Sequence, residues 1–238
     1  MVNEKKVTAI ITAGGRGVRI GGDVPKQFLH IAGRPILEHT LENFKSTGLV
    51  DEVVLVVPPD AVDSVQADYE GFGAWIAAVV PGGKERQDSV GNGLKAVGPD
   101  AEIILVHDGV RPFVTADMLR RSVEVAAEYG GAICAIPVSD TLKRADADGV
   151  VAETVDREGL WRMQTPQTFS REILQQAFAK AFEDGFYGTD EGMLVERLGH
   201  KVRLVPGSEF NIKITRPEDL VLGERIASFW QEHLREAS

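Results

Sequence analysis

The sequence lacks the features that mark disulfide-rich, membrane-spanning and nucleic-acid-binding proteins. It has one cysteine, Cys134, so an internal disulfide or a cysteine metal cluster cannot form. It has no apolar run long enough to span a membrane, and no signal-peptide core is present, so we expect a cytoplasmic protein. The net charge is -10 and basic tracts are absent, which argues against a nucleic-acid partner. Any phosphate site must therefore be built locally, from backbone amides and a few basic side chains.

The hydrophobic content, 43%, is enough for one substantial core, and the apolar pattern predicts its class. Short apolar runs alternate with segments of helical period. Buried strands are predicted at 7–12, 52–57, 75–80, 103–107 and 132–138, and helical faces at 36–44, 173–182 and 222–230. This alternation predicts a three-layer, Rossmann-like, doubly wound α/β fold with a mostly parallel sheet. We expect a single domain over residues 1–238, with ligands at the carboxyl ends of the strands.

One segment interrupts the alternation. Residues 139–165 have no helical period, and the turn signal Asp148-Gly149 lies between two β-like runs. We predict a β-hairpin arm over residues 139–157 that projects from the domain. An exposed hairpin with apolar Val150 and Val151 is marginal alone, so we expect two arms to pack together in a homodimer.

A glycine-rich segment follows the first strand and suits a phosphate chain. It reads Ala13-Gly14-Gly15-Arg16-Gly17-Val18-Arg19, and Pro25-Lys26-Gln27 comes after it. Glycines allow close backbone approach, and free amides cradle phosphates. Arg19 and Lys26 add positive charge. The spacing differs from the P-loop and from the dinucleotide fingerprint, because Ile20 replaces the third glycine.

A carboxylate, Asp108, follows the apolar strand at 103–107. An acid at a strand end suits a magnesium ion or a ribose hydroxyl, since Mg²⁺ takes one or two carboxylates together with phosphate oxygens. Asp108 is therefore our candidate ligand for Mg²⁺ or another divalent cation. The preceding His107 is expected to be a packed strand-end residue.

The glycine-rich opening and Pro-Lys-Gln resemble the signature of sugar-nucleotide pyrophosphorylase-like nucleotidyltransferases. Within them, the chain resembles the 2-C-methyl-D-erythritol 4-phosphate cytidylyltransferase family over nearly its whole length. Further motifs stand in matching order: Gly82-Gly83 with Arg86-x-Asp88-Ser89, His107-Asp108-Gly109-Val110-Arg111-Pro112, Asp140-Thr141-Leu142-Lys143-Arg144, Thr154-Val155-Asp156-Arg157, Thr165-Pro166-Gln167, Thr189-Asp190-Glu191 and Asn211-Ile212-Lys213-Ile214-Thr215. Lys84 departs from the acid that many relatives carry after the paired glycines, and that position receives no role.

The resemblance implies that CMP passes from CTP to a sugar-alcohol phosphate, with release of pyrophosphate. It implies roles for three groups of residues: Arg19, Lys26 and Lys213 in catalysis; Ala13, Gly14, Gly15, Gly17, Gly83, Ser89 and Asp108 in nucleotide binding; Thr141, Arg157, Thr165 and Thr189 at the acceptor phosphate. Backbone groups of Ala13, Gly14 and Gly83, with the Ser89 hydroxyl, would match the cytosine edge. The family also implies a homodimer in which Arg157 reaches the partner's acceptor site.

Two other interpretations remain open at this point. A ribitol-5-phosphate cytidylyltransferase would share the glycine-rich opening and the Asp108 region, although the stretch from Thr154 to Trp161 resembles the methylerythritol enzymes better. A non-catalytic nucleotide-sensing domain would tolerate loss of Arg19 or Lys26, and both are present.

Overall fold

The computed structural model describes residues 5–15 and 25–236, with side chains as far as Trp230. The strands are β1 Val7–Thr12, β2 His30–Ile31, β3 Arg34–Pro35, β4 Glu52–Val57, β5 Ile76–Pro81, β6 Ile103–Asp108, β7 Gly131–Pro137, β8 Leu142–Ala145, β9 Val151–Val155, β10 Trp161–Ser170 and β11 Arg203–Pro206. The helices are α1 Ile36–Ser46, α2 Val62–Asp68, α3 Arg86–Ala96, α4 Ala116–Tyr129, α5 Arg171–Glu183, α6 Glu191–Arg197 and α7 Pro217–Glu236. Short 3-10 turns occupy Lys26–Phe28, Pro59–Ala61 and Glu70–Trp75.

A seven-stranded sheet in the order β11-β7-β10-β6-β1-β4-β5 forms the centre of the molecule. Its strands pair in parallel except β10, which runs antiparallel to both β6 and β7. Parallel strands need crossover connections, and the helices between the strands supply them. The predicted α/β, doubly wound and mostly parallel fold is confirmed.

The sheet buries a core on each face. One core packs residues of α1, α2 and α4, such as Leu37, Val65 and Met118, against the sheet. The other packs residues of α3, α5 and α6, such as Val90 and Leu174, against the opposite face. A strand buried on both faces shows a continuous apolar run instead of an alternating one, which explains why 7–12, 52–57 and 103–107 were recognisable from sequence.

Four strands of the structure, β2, β3, β10 and β11, were not predicted from the sequence, and β5 is less buried than predicted. β10 was not predicted, because its motif Thr165-Pro166-Gln167 looks like a loop; a register shift between Met163 and Gln167 accommodates these residues within the strand. β5 was expected to be a buried strand, but it lies at the sheet edge and its residues are half-buried or exposed. An edge strand has a neighbour on one side only, which leaves it accessible to solvent.

The predicted hairpin is present as β8 and β9, which pair antiparallel beyond β7. The turn between them has Gly149 at φ 80°, in the left-handed region that favours glycine, and the Asp146 carboxylate accepts from the Asp148 amide at 3.0 Å. Val150 and Val151 at its tip are 62% and 58% exposed. The arm therefore carries apolar surface that the single chain does not cover. No helix in the described ranges has the length and apolarity needed to cross a membrane.

Candidate active site

Backbone hydrogen bonds link the carboxyl ends of four neighbouring strands, β6, β1, β4 and β5. The Gly109 amide after β6 donates to the Thr12 carbonyl at 2.9 Å, and the Ala13 amide donates to Val56 in β4 at 2.7 Å. The Gly82 amide donates to the Val57 carbonyl at 2.7 Å. Because of these links, the described part of the glycine-rich opening (13–15), the Gly82–Gly83 turn and Asp108 share one edge of the sheet, as the fold class predicts.

The two glycine segments pack tightly, against each other at Gly14 and against the start of α3 at Gly83. A Cβ on Gly14 would lie 3.3 Å from the Gly82 Cα, and one on Gly83 would lie 2.2 Å from the Asp88 Cβ. The Ser89 hydroxyl accepts from the Gly83 amide at 3.0 Å and donates to the Glu85 carbonyl at 3.1 Å. In this structure the Ser89 hydroxyl holds the Gly83 turn in shape, and its predicted contact with a base stays a prediction.

A cavity of about 450 Å³ opens at this edge, and we call it the glycine-loop cavity. Its walls include backbone from both glycine segments and the side chains of Lys26, Arg86, Asp108 and Lys213. Of the predicted nucleotide and catalytic residues, it brings together Ala13, Gly14, Gly15, Lys26, Gly83, Ser89, Asp108 and Lys213. Gly17 and Arg19 lie outside the described residues, so their predicted roles stay predictions.

Asp108 lies at the centre of a cluster of cations. Its Oδ1 accepts from the Arg86 Nε at 3.2 Å, while its Oδ2 lies 3.2 Å from the Arg111 Nε and 3.0 Å from the Lys213 Nζ. Burial would raise the pKa of Asp108, but the charges of Arg86, Lys213 and Arg111 outweigh it and hold that pKa well below its usual range. Asp108 is therefore ionised at neutral pH and fixes three cationic side chains around it.

This arrangement bears on the predicted metal ligand. Both oxygens of Asp108 already contact cationic side chains, so a metal ion could bind there only if one of those partners moved. Within the described ranges, no group of three His, Cys, Asp or Glu side chains is arranged to hold a metal ion. The donors that are present do not form a resident metal site, and Asp108 as a magnesium ligand stays a prediction.

A second cavity of about 290 Å³ adjoins the first, and we call it the α6 cavity. It is lined by Thr165, Gln167, Thr189 and Asp190, together with Arg86, Asp108 and Lys213, which also line the glycine-loop cavity. Asp190 caps α6 by accepting from the Met193 amide at 2.9 Å. The two cavities therefore share a charged wall.

Thr165 was expected to bind an acceptor phosphate, but its hydroxyl is already engaged. The Asp108 amide donates to Thr165 Oγ1 at 3.1 Å. The His107 Nε2 lies 3.0 Å from the Arg111 carbonyl and must donate to it, so His107 Nδ1 accepts from the Thr165 hydroxyl at 3.0 Å. Thr165 could donate to a phosphate only after releasing His107. His107 is fully buried, as expected, and it fixes the orientation of Thr165.

The other two predicted acceptor residues lie on the arm, away from both cavities. Thr141 and Arg157 are exposed, and neither lines the glycine-loop or the α6 cavity. The Arg157 guanidinium donates to the Ser139 carbonyl at the base of the arm. Within one chain, the structure does not bring these residues together with Thr165 and Thr189.

Sequence reasoning assigned no role to an ion pair that joins the two cavities. The Arg86 guanidinium binds both carboxylate oxygens of Glu191, at 2.7 and 3.0 Å. Both residues lie in motifs that the sequence analysis quotes, but neither received a role there. It occupies the first turn of α6 with its side chain only 2% exposed. The local sequence pattern does not indicate that the acidic side chain of Glu191 is buried.

The chain matches the family model of 2-C-methyl-D-erythritol 4-phosphate cytidylyltransferase over residues 7–228. A protein of that name from Syntrophus aciditrophicus (strain SB) is 49% identical over 223 residues, which cover 92% of this chain and 94% of that protein. One from Pelotomaculum thermopropionicum is 44% identical over 234 residues, 98% of each chain.

Solved structures agree with the sequence relatives. The 4-diphosphocytidyl-2C-methyl-D-erythritol synthase of Anaerococcus prevotii aligns with a TM-score of 0.84 at 31% identity, over 95% of this chain and 98% of that chain. The 2-C-methyl-D-erythritol 4-phosphate cytidylyltransferase of Thermus thermophilus aligns with a TM-score of 0.77 at 36% identity, over 94% of this chain and 99% of that chain. This chain belongs to the 2-C-methyl-D-erythritol 4-phosphate cytidylyltransferase family.

Proposed function

We propose that the protein transfers CMP from CTP to 2-C-methyl-D-erythritol 4-phosphate, giving 4-diphosphocytidyl-2-C-methyl-D-erythritol and pyrophosphate for isoprenoid precursor synthesis. The observation that carries this proposal is the pair of adjoining cavities with one charged wall, in a chain that matches this family over residues 7–228. CTP would occupy the glycine-loop cavity, and the acceptor phosphate would approach through the α6 cavity.

The chemistry needs charge stabilisation more than a protein base. A phosphate oxygen of the acceptor forms a bond to the α-phosphorus of CTP, and the bond from that phosphorus to the β-phosphate bridge breaks, so pyrophosphate leaves. The attacking phosphomonoester is already ionised at pH 7, and no side chain has to remove a proton. Negative charge grows on the α-phosphate and the leaving group, and preorganised cations stabilise it.

The charge of the shared wall supports this role. Arg86 and Lys213 of that wall, with Arg111 of the α6 cavity, surround Asp108, and Glu191 pairs with Arg86. These three cations outnumber the two carboxylates, so the cluster has a net positive charge. Lys26 also lines the glycine-loop cavity and adds to it. We propose Lys26 and Lys213 as catalytic residues at the phosphates, and we add Arg19 because the sequence resemblance implies that role.

We propose that magnesium enters as part of the substrate, as the CTP complex. Mg²⁺ is commonly held by phosphate oxygens, waters and few protein groups. Activity should then disappear in excess chelator and return with added Mg²⁺. The Asp108→Asn variant should lose activity because its neutral amide cannot hold three cations. If its residual activity needs the same Mg²⁺ concentration as the wild type, Asp108 acts by holding the cations and not as a metal ligand.

We also propose that residues 1–238 form one nucleotidyltransferase domain and act as a cytoplasmic homodimer through the arm. One continuous sheet includes strands from Val7 to Pro206, which supports a single domain. The exposed valines of the arm, and the fact that Thr141 and Arg157 line neither cavity of their own chain, support contribution of the arm to a partner's site. CTP is a cytoplasmic metabolite, and localisation of a fluorescent fusion tests the compartment.

The test is pyrophosphate release from CTP with Mg²⁺ and either 2-C-methyl-D-erythritol 4-phosphate or ribitol 5-phosphate. We expect turnover only with the first acceptor, and a product whose mass equals the CMP adduct. Preference for ribitol 5-phosphate would assign the alternative cytidylyltransferase activity, and CTP binding without turnover would assign a nucleotide sensor.

A further inference from the structure

We propose that the Arg86–Glu191 pair is a positioning device that keeps the two substrate cavities aligned for the transfer step. The inference rests on the proposed function. It goes beyond the charge that Arg86 adds to the wall of the cavities, and it assigns a role to Glu191, which has none in that proposal.

The pair has a fixed geometry. Two guanidinium nitrogens of Arg86 reach the two oxygens of Glu191 at 2.7 and 3.0 Å, while the third, Nε, donates to Asp108 Oδ1 at 3.2 Å. The Glu191 side chain is 2% exposed and that of Arg86 is 30% exposed. A planar guanidinium held by two carboxylates in this way has little rotational freedom.

The helices that carry the two partners lie beside different cavities. Arg86 opens α3, the helix whose Ser89 hydroxyl shapes the Gly83 turn of the glycine-loop cavity. Glu191 opens α6, directly after Thr189 and Asp190, which line the other cavity. The pair is therefore a link between the helix behind the nucleotide and the loop beside the acceptor.

Neighbouring hydrogen bonds also connect the loop before α6 to the rest of the site. The Gln87 side chain donates to the Phe186 carbonyl and accepts from the Gly188 amide, each at 2.9 Å. The Gln167 side chain binds the Asp190 carboxylate at 2.9 Å and the Gly192 amide at 3.0 Å. These hydrogen bonds attach the loop and the first turn of α6 to α3 and to β10. Unlike Gln87 and Gln167, Arg86 also contacts Asp108.

Stability alone does not account for a buried pair at this place. A buried ion pair contributes little net stability compared with apolar residues of the same volume, whereas its directional hydrogen bonds fix orientation. Nucleotidyl transfer depends on alignment of two bound substrates, and a misplacement of about 1 Å can cost on the order of 10²-fold in rate. A rigid link between the two cavities supplies that alignment.

The test is Glu191→Gln, which keeps the size of the side chain and removes its charge. At a temperature where circular dichroism shows the variant to be folded, we expect kcat to fall by about 10-fold or more, with both KM values within about 3-fold of wild type. The matched control is Arg197→Gln on the same helix, which breaks the ion pair with Asp184 outside both cavities. Its kcat should stay within about 2-fold of wild type.

Each other result overturns the inference. Near wild-type kcat and KM values in Glu191→Gln would show that the pair has only a structural role. A raised KM for the acceptor with an intact kcat would show that Arg86 acts in substrate binding instead. If Glu191→Gln does not fold, Arg86→Lys keeps the charge without the bidentate geometry, and an unchanged kcat there has the same meaning. Wild-type protein without turnover would refute the proposed function instead, so the two failures are distinguishable.

Discussion

The ammonium group of Lys213 lies 3.0 Å from Oδ2 of Asp108, on the wall that both cavities share. Lys213 is the most exposed of the three cations around that carboxylate, at 36% against 30% for Arg86 and 12% for Arg111. The two arginines have further partners, in Glu191 and in the Asn211 carbonyl. Lys213 is thus the cation best able to turn towards an incoming phosphate while Asp108 keeps the others in place.

Replacement of Lys213 by alanine should therefore reduce turnover far more than it reduces stability. We expect a loss of about 10²–10³ in kcat, the size found when one preorganised charge contact is removed. Lys26→Ala should behave in the same way. Steady-state kinetics and thermal unfolding test this, with the exposed Lys201→Ala as control. Near wild-type kcat would remove the substituted lysine from the mechanism.

Base selection should depend on the Gly83 turn. The protein should prefer CTP strongly over ATP and GTP, with UTP the nearest competitor, because UTP reverses the hydrogen-bond pattern at one ring edge and leaves buried partners unpaired, at about 1–3 kcal/mol each. A Cβ at Gly83 would lie 2.2 Å from Asp88 Cβ, so Gly83→Ala must displace the turn.

Gly83→Ala should thus raise the KM for CTP and narrow its advantage over UTP by about 10-fold. The measurement is kcat/KM for each nucleotide. Gly71→Ala is the control, since a Cβ there meets nothing within 4 Å. An unchanged CTP to UTP ratio in Gly83→Ala, or equal kcat/KM for CTP and ATP in the wild type, would contradict a base-reading role for this turn.

The strands that carry the site could be predicted from the sequence better than the side-chain contacts within it. Strands buried on both faces give continuous apolar runs, so β1, β4 and β6 and the position of Asp108 followed from the pattern. The position of β10 did not, because Pro166 and a register shift interrupt its pattern. The engaged hydroxyls of Ser89 and Thr165, and the Arg86–Glu191 pair, depend on contacts between residues distant in sequence, which no local pattern encodes.

His107 should make the stability of the fold depend on pH. Burial lowers its pKa from the ordinary 6.5 to about 4. Between those pH values the unfolded chain binds a proton at His107 that the folded chain does not. The neutral, buried His107 therefore contributes to the free energy of unfolding fully above pH 6.5, and this contribution is lost as the pH falls towards 4. The contribution is on the order of 3 kcal/mol.

Urea unfolding of the wild type and of His107→Gln between pH 4 and 7 measures the contribution of His107 to the free energy of unfolding. We expect the wild-type curve to fall more steeply on acidification than the variant curve, although the variant is less stable at pH 7 because Thr165 and the Arg111 carbonyl lose a partner. Parallel curves would mean that His107 is not the group responsible.

The last prediction concerns the arm. Val150 and Val151 are exposed, and no residue of the arm lines the chain's own α6 cavity, which fits a homodimer in which Arg157 serves the neighbour's acceptor site. Light scattering should give twice the mass of one chain. Arg157→Ala should raise the KM for the sugar phosphate and leave CTP binding nearly intact, because Arg157 does not line the glycine-loop cavity.

Mixed dimers test the exchange between subunits. When Arg157→Ala and Lys26→Ala chains are co-expressed, one of the two sites combines an intact Lys26 with an intact Arg157 from the neighbour, so activity should rise above that of either parent. Lys26→Ala with Lys213→Ala is the matched control: both lysines line the same chain's cavity, so each site of that heterodimer keeps one lesion and no rescue is expected. A fully active monomer, or a verified Arg157→Ala and Lys26→Ala heterodimer without rescue, would show that the arm does not act across subunits.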